Sequence, residues 1–298
     1  RGRLTMTQFV NLLITGLVFG AVYTLLALGV VLIYRVSRVV NLAHGAIGVF
    51  STYVFHFVLM ERLGLPVGVA FGLTLLTGAL VGALTERLWI GPVRRDGPLV
   101  MLITTVAALL VLTELTYQVW GTNQPVIASV FPDRTIAFAS TGVTVHQLGT
   151  AGITVALALV LSFALNRTRY GRAVEAIAED PGAARVIGLP VQAITTITWA
   201  AGGMTAALAG MLFIKLNSLD PISLTLVLIG SLVAAVFGGF TSFGLAAAGA
   251  MTIGVVFSLA QGYVDVTGSA NALVFVLLVA VLLLNPKSRR VLDAPAEL

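Results

Sequence analysis

Apolar stretches recur along the whole chain, each close to the ~20 residues that an α-helix needs to cross the hydrocarbon core of a bilayer. They fall at roughly 8–34, 39–60, 66–86, 98–120, 149–167, 193–216, 222–240, 243–263 and 270–286. A soluble fold could not bury them all. Charged residues make up only 10% of the 298 residues, against the roughly one quarter that soluble domains carry. The reading is an all-α integral membrane protein, a polytopic bundle of about nine (eight to ten) transmembrane helices in a single domain over 1–298. The least regular stretches are 39–60, which holds His44 and His56, and 222–263, which reads either as two spans or as a broken hairpin.

The chain has no cysteine, which excludes a disulfide framework and a thiolate metal site; no metal ligands are assigned. The first apolar run is too long for a signal peptide and reads as a span. A net charge of +5 could suggest nucleic acid in a soluble protein. Here the basic residues sit in short loops between apolar runs, where topology explains them, so no nucleic-acid partner is expected.

Counting those charges orients the chain. With a cytoplasmic carboxyl terminus, Arg35, Arg38, Arg87, Arg94, Arg95, Arg167, Arg169, Arg172, Arg185, Lys287, Arg289 and Arg290 lie inside. Arg1, Arg3, Arg62, Arg134 and Lys215 lie outside. This twelve-to-five bias places the amino terminus outside. An odd span count also makes 8–120 and 193–286 candidate halves of an inverted repeat, with 149–167 as the linking span. Each half has a Gly-broken stretch, Asn41–Gly48 and Gly238–Gly244. Small residues four apart (Gly16/Gly20, Gly68/Gly72, Gly78/Gly82, Ala246/Ala250/Gly254) predict close helix contacts rather than a site.

Two segments look water-facing. One is an outer loop at 121–147 with Pro125, Pro132 and Asp133; the other is a cytoplasmic segment at 168–192. The second predicts two short amphipathic helices. One covers Gly171–Glu179. The other starts with Asp180 as N-cap and Pro181 at the first helical position, and ends at Gly188 before Pro190. Ala183, Ala184, Val186 and Ile187 offer an apolar side to a partner; from pattern alone a connector lying on the membrane surface fits as well.

The stretch "RAVEAIAEDPGAARVIGLP" at 172–190 resembles the cytoplasmic coupling loop of ATP-binding-cassette importer permeases, with Glu175-Ala176 and Ile187-Gly-Leu-Pro190 as a degenerate form of its signature. Its wording is closest to the branched-chain amino acid (LivH-like) permeases, a family that also includes urea and amide permeases. "GAVYTLLALGVVLIYRVSRVVNLAHGAIGVFSTY" at 20–53, "ERLWIGPVRR" at 86–95, "GGMTAALAGML" at 202–212, "AAVFGGFTSFGLAAAGAMTIGVV" at 234–256 and "LLLNPK" at 282–287 resemble further blocks of that family, in order. Ala46 departs from it, standing where many relatives carry glutamate.

The resemblance implies a permease subunit in the prokaryotic plasma membrane that carries a small polar solute, a branched-chain amino acid first and urea or an amide as alternatives. It implies partners: a second (sister) permease subunit, two cytoplasmic ATPase subunits and an extracytoplasmic solute-binding protein. The coupling residues it implies are Gly171, Arg172, Glu175, Ala176, Glu179, Asp180, Ala184, Gly188, Leu189 and Pro190. The chain has no G-x-x-x-x-G-K-[ST] loop, so no cofactor is assigned to it, and ATP and Mg belong to the ATPase chains.

A charge at the bilayer centre costs about 2.5–3.5 kcal/mol on insertion scales, so polar residues inside spans need a reason. Glu114 either lines the pathway or bonds to a neighbouring helix in protonated form. Asn41, His44 and Gly45 mark a helix break that the resemblance places near the pathway, and Gly238 and Gly239 are their counterparts in the second half. Glu86 and Arg87 close the third span; Arg94 and Arg95 follow, and topology and lipid headgroups account for these arginines. Asp220 and Asp265 read as solvated outer residues. Three rival readings are an ion-coupled secondary transporter, for which only Glu114 is a candidate carboxylate; a passive small-solute channel; and an intramembrane serine protease using Ser231 and His44.

Overall fold

A computed structural model describes residues 6–121, 131–132, 134–138, 141–216, 218, 220–263 and 269–284. Arg1, Arg3, Pro125, Asp133, Asp265, Pro286, Lys287, Arg289 and Arg290 lie outside the described residues.

The elements run α1 (Met6–Ser37), α2 (His44–Tyr53, continuing as a π-helix over Val54–Arg62), α3 (Val67–Leu84, continuing as a π-helix over Thr85–Ile90), α4 (Gly91–Val93), a 3-10 turn at Arg94–Asp96, and α5 (Pro98–Trp120). Then come β1 (Thr135–Phe138), β2 (Thr141–Thr144), α6 (Val145–Arg167), α7 (Arg169–Glu179), α8 (Pro181–Val186), α9 (Val191–Phe213), α10 (Ser223–Phe237), α11 (Phe243–Tyr263) and α12 (Ser269–Leu284). The protein is thus a polytopic, helical membrane bundle. Among the described residues, six helical segments have the length and hydropathy of a span: α1, α3 with its continuation, α5, α6, α9 and α11. The other apolar helices, α2, α10 and α12, are 10, 15 and 16 residues long.

Three expectations change. The second apolar stretch is not one helix from residue 39, because residues 38–43 are non-helical. The outer loop contains a two-stranded antiparallel hairpin, β1–β2, where no strand was expected. Its Thr135, Ile136, Val143 and Thr144 are β-branched, which suits a pleated surface. The linking span begins at Val145 rather than 149, because Thr144 and Gln147 form a reciprocal capping box.

Burial sorts the helices into layers. In α1, 94% of the most apolar stretch is buried, against 17% in α6, 22% in α3 and 28% in α5. α1 is therefore the axis, packed against α11, α9, α10 and α6. The outer helices leave residues such as Leu76, Leu110 and Leu159 exposed, as a lipid-facing surface should. Missing side chains allow the axial contacts. A Cβ on Gly16 would lie 2.7 Å from the Val255 Cα, and one on Gly20 would lie 2.8 Å from the Met251 Cα. Gly78 and Gly82 similarly seat α3 on Gly203 of α9. Gly68 and Gly72 have nothing within 4 Å, so the same spacing makes no contact there. Buried hydroxyls such as Ser51, Thr52, Thr74 and Thr154 donate to the carbonyl four residues back. That local bond satisfies a group for which lipid has no partner.

Candidate functional site

The sequence-predicted residues fall into two places, and the shape of α2 and α10 explains why. The first lies inside the bundle. After α1 the chain turns at Arg38 (φ 53°) and runs back non-helically to His44. Thr105 of α5 holds this segment: its hydroxyl gives its proton to Leu102 O at 2.8 Å and accepts from Leu42 N at 3.3 Å. The Asn41 side chain accepts from Ala43 N at 3.0 Å. Irregular backbone at membrane depth needs such protein partners. The His44 ring sits where a side chain on Gly29 would be, next to Thr205. Gly29 lies eight residues before the end of α1. At ~1.5 Å per residue, α2 therefore starts about 12 Å inward of that end.

α10 starts at the same depth. A Cβ on Gly45 would lie 2.7 Å from the Leu224 carbonyl oxygen and 2.9 Å from Thr225 N. The first turns of two short helices thus meet in the interior, a geometry found at the binding sites of transporters with broken helices. Polar atoms gather there without partners: Asn41 Nδ2, both ring nitrogens of His44 and Thr225 Oγ1 are buried and form no hydrogen bond. Unpaired buried polar groups are uncommon and mark strain or function.

The second place is the seat of α7 and α8 at one end of the bundle. Thr168 caps α7, accepting from Gly171 N. Gly171, Val174 and Ile177 face inward, and a side chain on Gly171 would collide with the Leu165 carbonyl of α6. The Asp180 carboxylate caps α8, accepting from Gly182 N at 2.7 Å and Ala183 N at 2.9 Å. α8 ends in a Schellman motif: Gly188 has φ 84°, Leu189 N donates to Ala184 O, and Gly188 N donates to Arg185 O. Of the apolar side expected for α8, Ala184 turns inward while Val186 (88% exposed) and Ile187 (72%) project outward. Arg172, Glu175, Glu179 and Pro190 are exposed, and Ala176 and Leu189 are half-buried.

The seat is bolted to the rest of the bundle by residues that sequence reasoning missed. Arg38 Nε donates to Ala178 O of α7 at 3.4 Å. Arg35 donates to Thr241 O, in the turn between α10 and α11, and its guanidinium carbon lies 5.0 Å from the centre of the Phe243 ring. Arg35, Arg38, Glu175 and Thr241 line one small cleft. The Tyr170 hydroxyl lies 2.6 Å from Thr198 Oγ1 of α9; because Thr198 donates to Ile194 O, Tyr170 is the donor. Burial raises the Tyr170 phenol above its usual pKa.

Gly238 and Gly239 belong to this seat rather than to the interior break. They form the Schellman end of α10, with Gly239 at φ 59° and Phe240 N donating to Ala235 O. Thr225 and Gly238 are thirteen positions apart, about 20 Å along α10. Glu114 joins neither place. It lies on the exposed face of α5 and accepts from Gln118 Nε2 at 2.6 Å.

Glu86 also departs from expectation. It is fully buried and accepts from Arg94 Nη2 at 2.5 Å and from Gln192 Nε2 at 3.0 and 3.1 Å; Thr196 Oγ1 lies 2.5 Å away. Arg94 is therefore the partly exposed partner of a buried glutamate that Gln192 and Thr196 tie to the start of α9, not only a topology charge. A lone glutamate closing an apolar run was the available signal. Ser231 donates to Val227 O, and His44 has no hydrogen-bond partner, so the two do not form a nucleophile–base pair.

The family model for the permease component of branched-chain amino acid transport systems matches residues 12–284. The chain belongs to that family. Curated relatives agree over nearly the full length. The high-affinity branched-chain amino acid transport system permease protein LivH of Escherichia coli K12 is 26% identical, over 93% of this chain and 94% of the relative. The corresponding protein BraD of Pseudomonas aeruginosa is 26% identical, over 94% of each chain. Among solved structures, PsaBC from Streptococcus pneumoniae in complex with Fab superposes with a TM-score of 0.53 at 14% identity, covering 98% of this permease and 100% of that chain. That likeness concerns the fold alone. As a member of this family, the chain is a multi-pass permease component of a transport system.

Proposed function

We propose that this permease is the membrane-spanning subunit of an ATP-binding-cassette importer for branched-chain amino acids in a prokaryotic plasma membrane. Its amino terminus lies outside. It works with a sister permease, two cytoplasmic ATPase subunits that hold ATP and Mg, and an extracytoplasmic binding protein. The α7–α8 seat carries this reading. Two capped short helices hold Val186 and Ile187 outward, as anchors for a groove on another chain. Arg38, in the turn before α2, donates to Ala178 O of that handle, and Arg35 of α1, which lines the cleft beside Glu175, donates to Thr241 O in the turn after α10. Force on the handle reaches both broken helices, and the interior cluster at Asn41, His44 and Thr225 lies where those helices begin. The relatives' names support the solute.

The test measures leucine uptake and ATP hydrolysis in vesicles holding the whole transporter. Val186→Asp with Ile187→Asp abolishes uptake and frees hydrolysis from solute control, with the subunit still inserted. Gly188→Trp, which strains a left-handed position, acts the same way. Uptake that survives both changes, or that survives loss of the ATPase, contradicts the proposal and favours a passive channel.

A further inference from the structure

A cavity of about 210 Å³ opens between α1, α10 and α11, at the end of the bundle opposite the α7–α8 seat. It holds far more than one ordered water requires. Its wall is aromatic and fixed: the Phe257 ring meets Phe19 edge-on at 5.3 Å and Tyr23 edge-on at 6.1 Å, and Phe213 adds a further face. Its polar side is acidic and neutral. Asp220 and Gln261 contribute a carboxylate and an amide, and none of the ten lining residues is basic.

Asp220 was read from sequence as merely solvated, yet it is held in place. It accepts from Ile222 N at 3.0 Å at the start of α10, where negative charge is favoured. A carboxylate has about four acceptor positions, so one backbone bond leaves capacity for a ligand. The cavity also adjoins the interior break along α10. Ser223, Leu226 and Val227 line it, and the same turn of α10 places Leu224 and Thr225 against Gly45.

We infer that this cavity is a loading site for aliphatic amino-acid zwitterions, with Asp220 taking the ammonium group and the rings of Phe19, Tyr23, Phe213 and Phe257 taking the side chain. A cation next to aromatic faces and a carboxylate is stabilised by both, and an aliphatic chain gains by leaving water. The Gln261 amide supplies a neutral donor to the solute carboxylate. The site selects against urea, which has neither a cation nor an apolar chain. The inference deepens the importer reading above and rests on it.

The absence of cysteine makes the test direct, since one introduced thiol is a unique label. Leu226→Cys is placed in the intact transporter in right-side-out vesicles and treated with a membrane-impermeant thiosulfonate, with Ser218→Cys as a second reporter on the cavity wall. Leucine, isoleucine and valine slow modification, whereas 4-methylpentanoate and urea do not. Adding Asp220→Asn raises the leucine concentration needed for half protection about tenfold, as loss of one charge-assisted hydrogen bond predicts; Asp220→Glu retains protection. If neither thiol reacts, the cavity is closed to the outside and the inference fails. If both react at rates leucine does not change, in vesicles that accumulate leucine, the inference fails and the importer reading stands. Vesicles that accumulate urea but not leucine, with urea protecting the thiol, overturn both.

Discussion

The α7–α8 seat and the interior break are built on opposite principles. In the seat, every short helix is closed by a local device: Thr168 and Asp180 at the N-caps, and Schellman turns at Gly188 and Gly239. In the break, α2 has no side-chain cap hydrogen bond, and Asn41, His44 and Thr225 keep unpaired polar atoms. A satisfied element moves as a unit, whereas an unsatisfied one has polar groups left to offer a passing solute or water. The contrast suits a handle attached to a gate.

Several substitutions can break or sharpen that comparison, beginning with the largest effect. Arg94→Ala leaves the fully buried Glu86 without its counter-charge, which costs on the order of 3–5 kcal/mol; thermal denaturation of the purified permease should show it, and an unshifted midpoint would mean the pair is idle. Gly45→Ala drives a methyl group into the α10 backbone and costs about 1–3 kcal/mol. In this case expression falls and uptake is lost together.

Smaller effects separate the two regions more finely. Asp180→Ala removes the α8 cap at a cost of ~1 kcal/mol; hydrogen exchange should quicken at Gly182 and Ala183 and stay unchanged at Gly45. His44→Leu replaces unpaired buried nitrogens by an apolar group, so the thermal midpoint holds or rises slightly while uptake is lost. A destabilised His44→Leu protein that still transports would show that the ring is ordinary packing.

The seat was far more legible in the sequence than the break. Asp180-Pro181 and Gly188 carry their meaning in their own φ preferences and side-chain oxygens, so α8 could be read from a dozen residues. The run from 98 to 120 matches α5 and the run from 243 to 263 matches α11, because length and hydropathy alone define a span. The second stretch misled for the same reason. Residues 39–60 are apolar enough to be one helix; the Gly-broken stretch marks an irregularity, but nothing local shows that Thr105, 63 positions after Leu42, would hold the backbone unwound. Likewise Gly68/Gly72 and Gly78/Gly82 share one spacing, yet only the second pair meets a neighbour.

By itself, the sequence determined that this chain lives in a bilayer, that runs such as 98–120 and 243–263 are long enough to span it, and that residues 168–192 form two short helices, the second capped by Asp180. Hydropathy and capping are short-range properties, each decided within a few turns. The tertiary structure alone decided that α1 is the axis and that Glu86 and Arg94 are paired. It also decided that His44 meets the start of α10 while Gly238 sits about 20 Å away in the seat. Those outcomes depend on which helix faces which, and helices in lipid choose neighbours by close packing, which no single stretch of sequence contains.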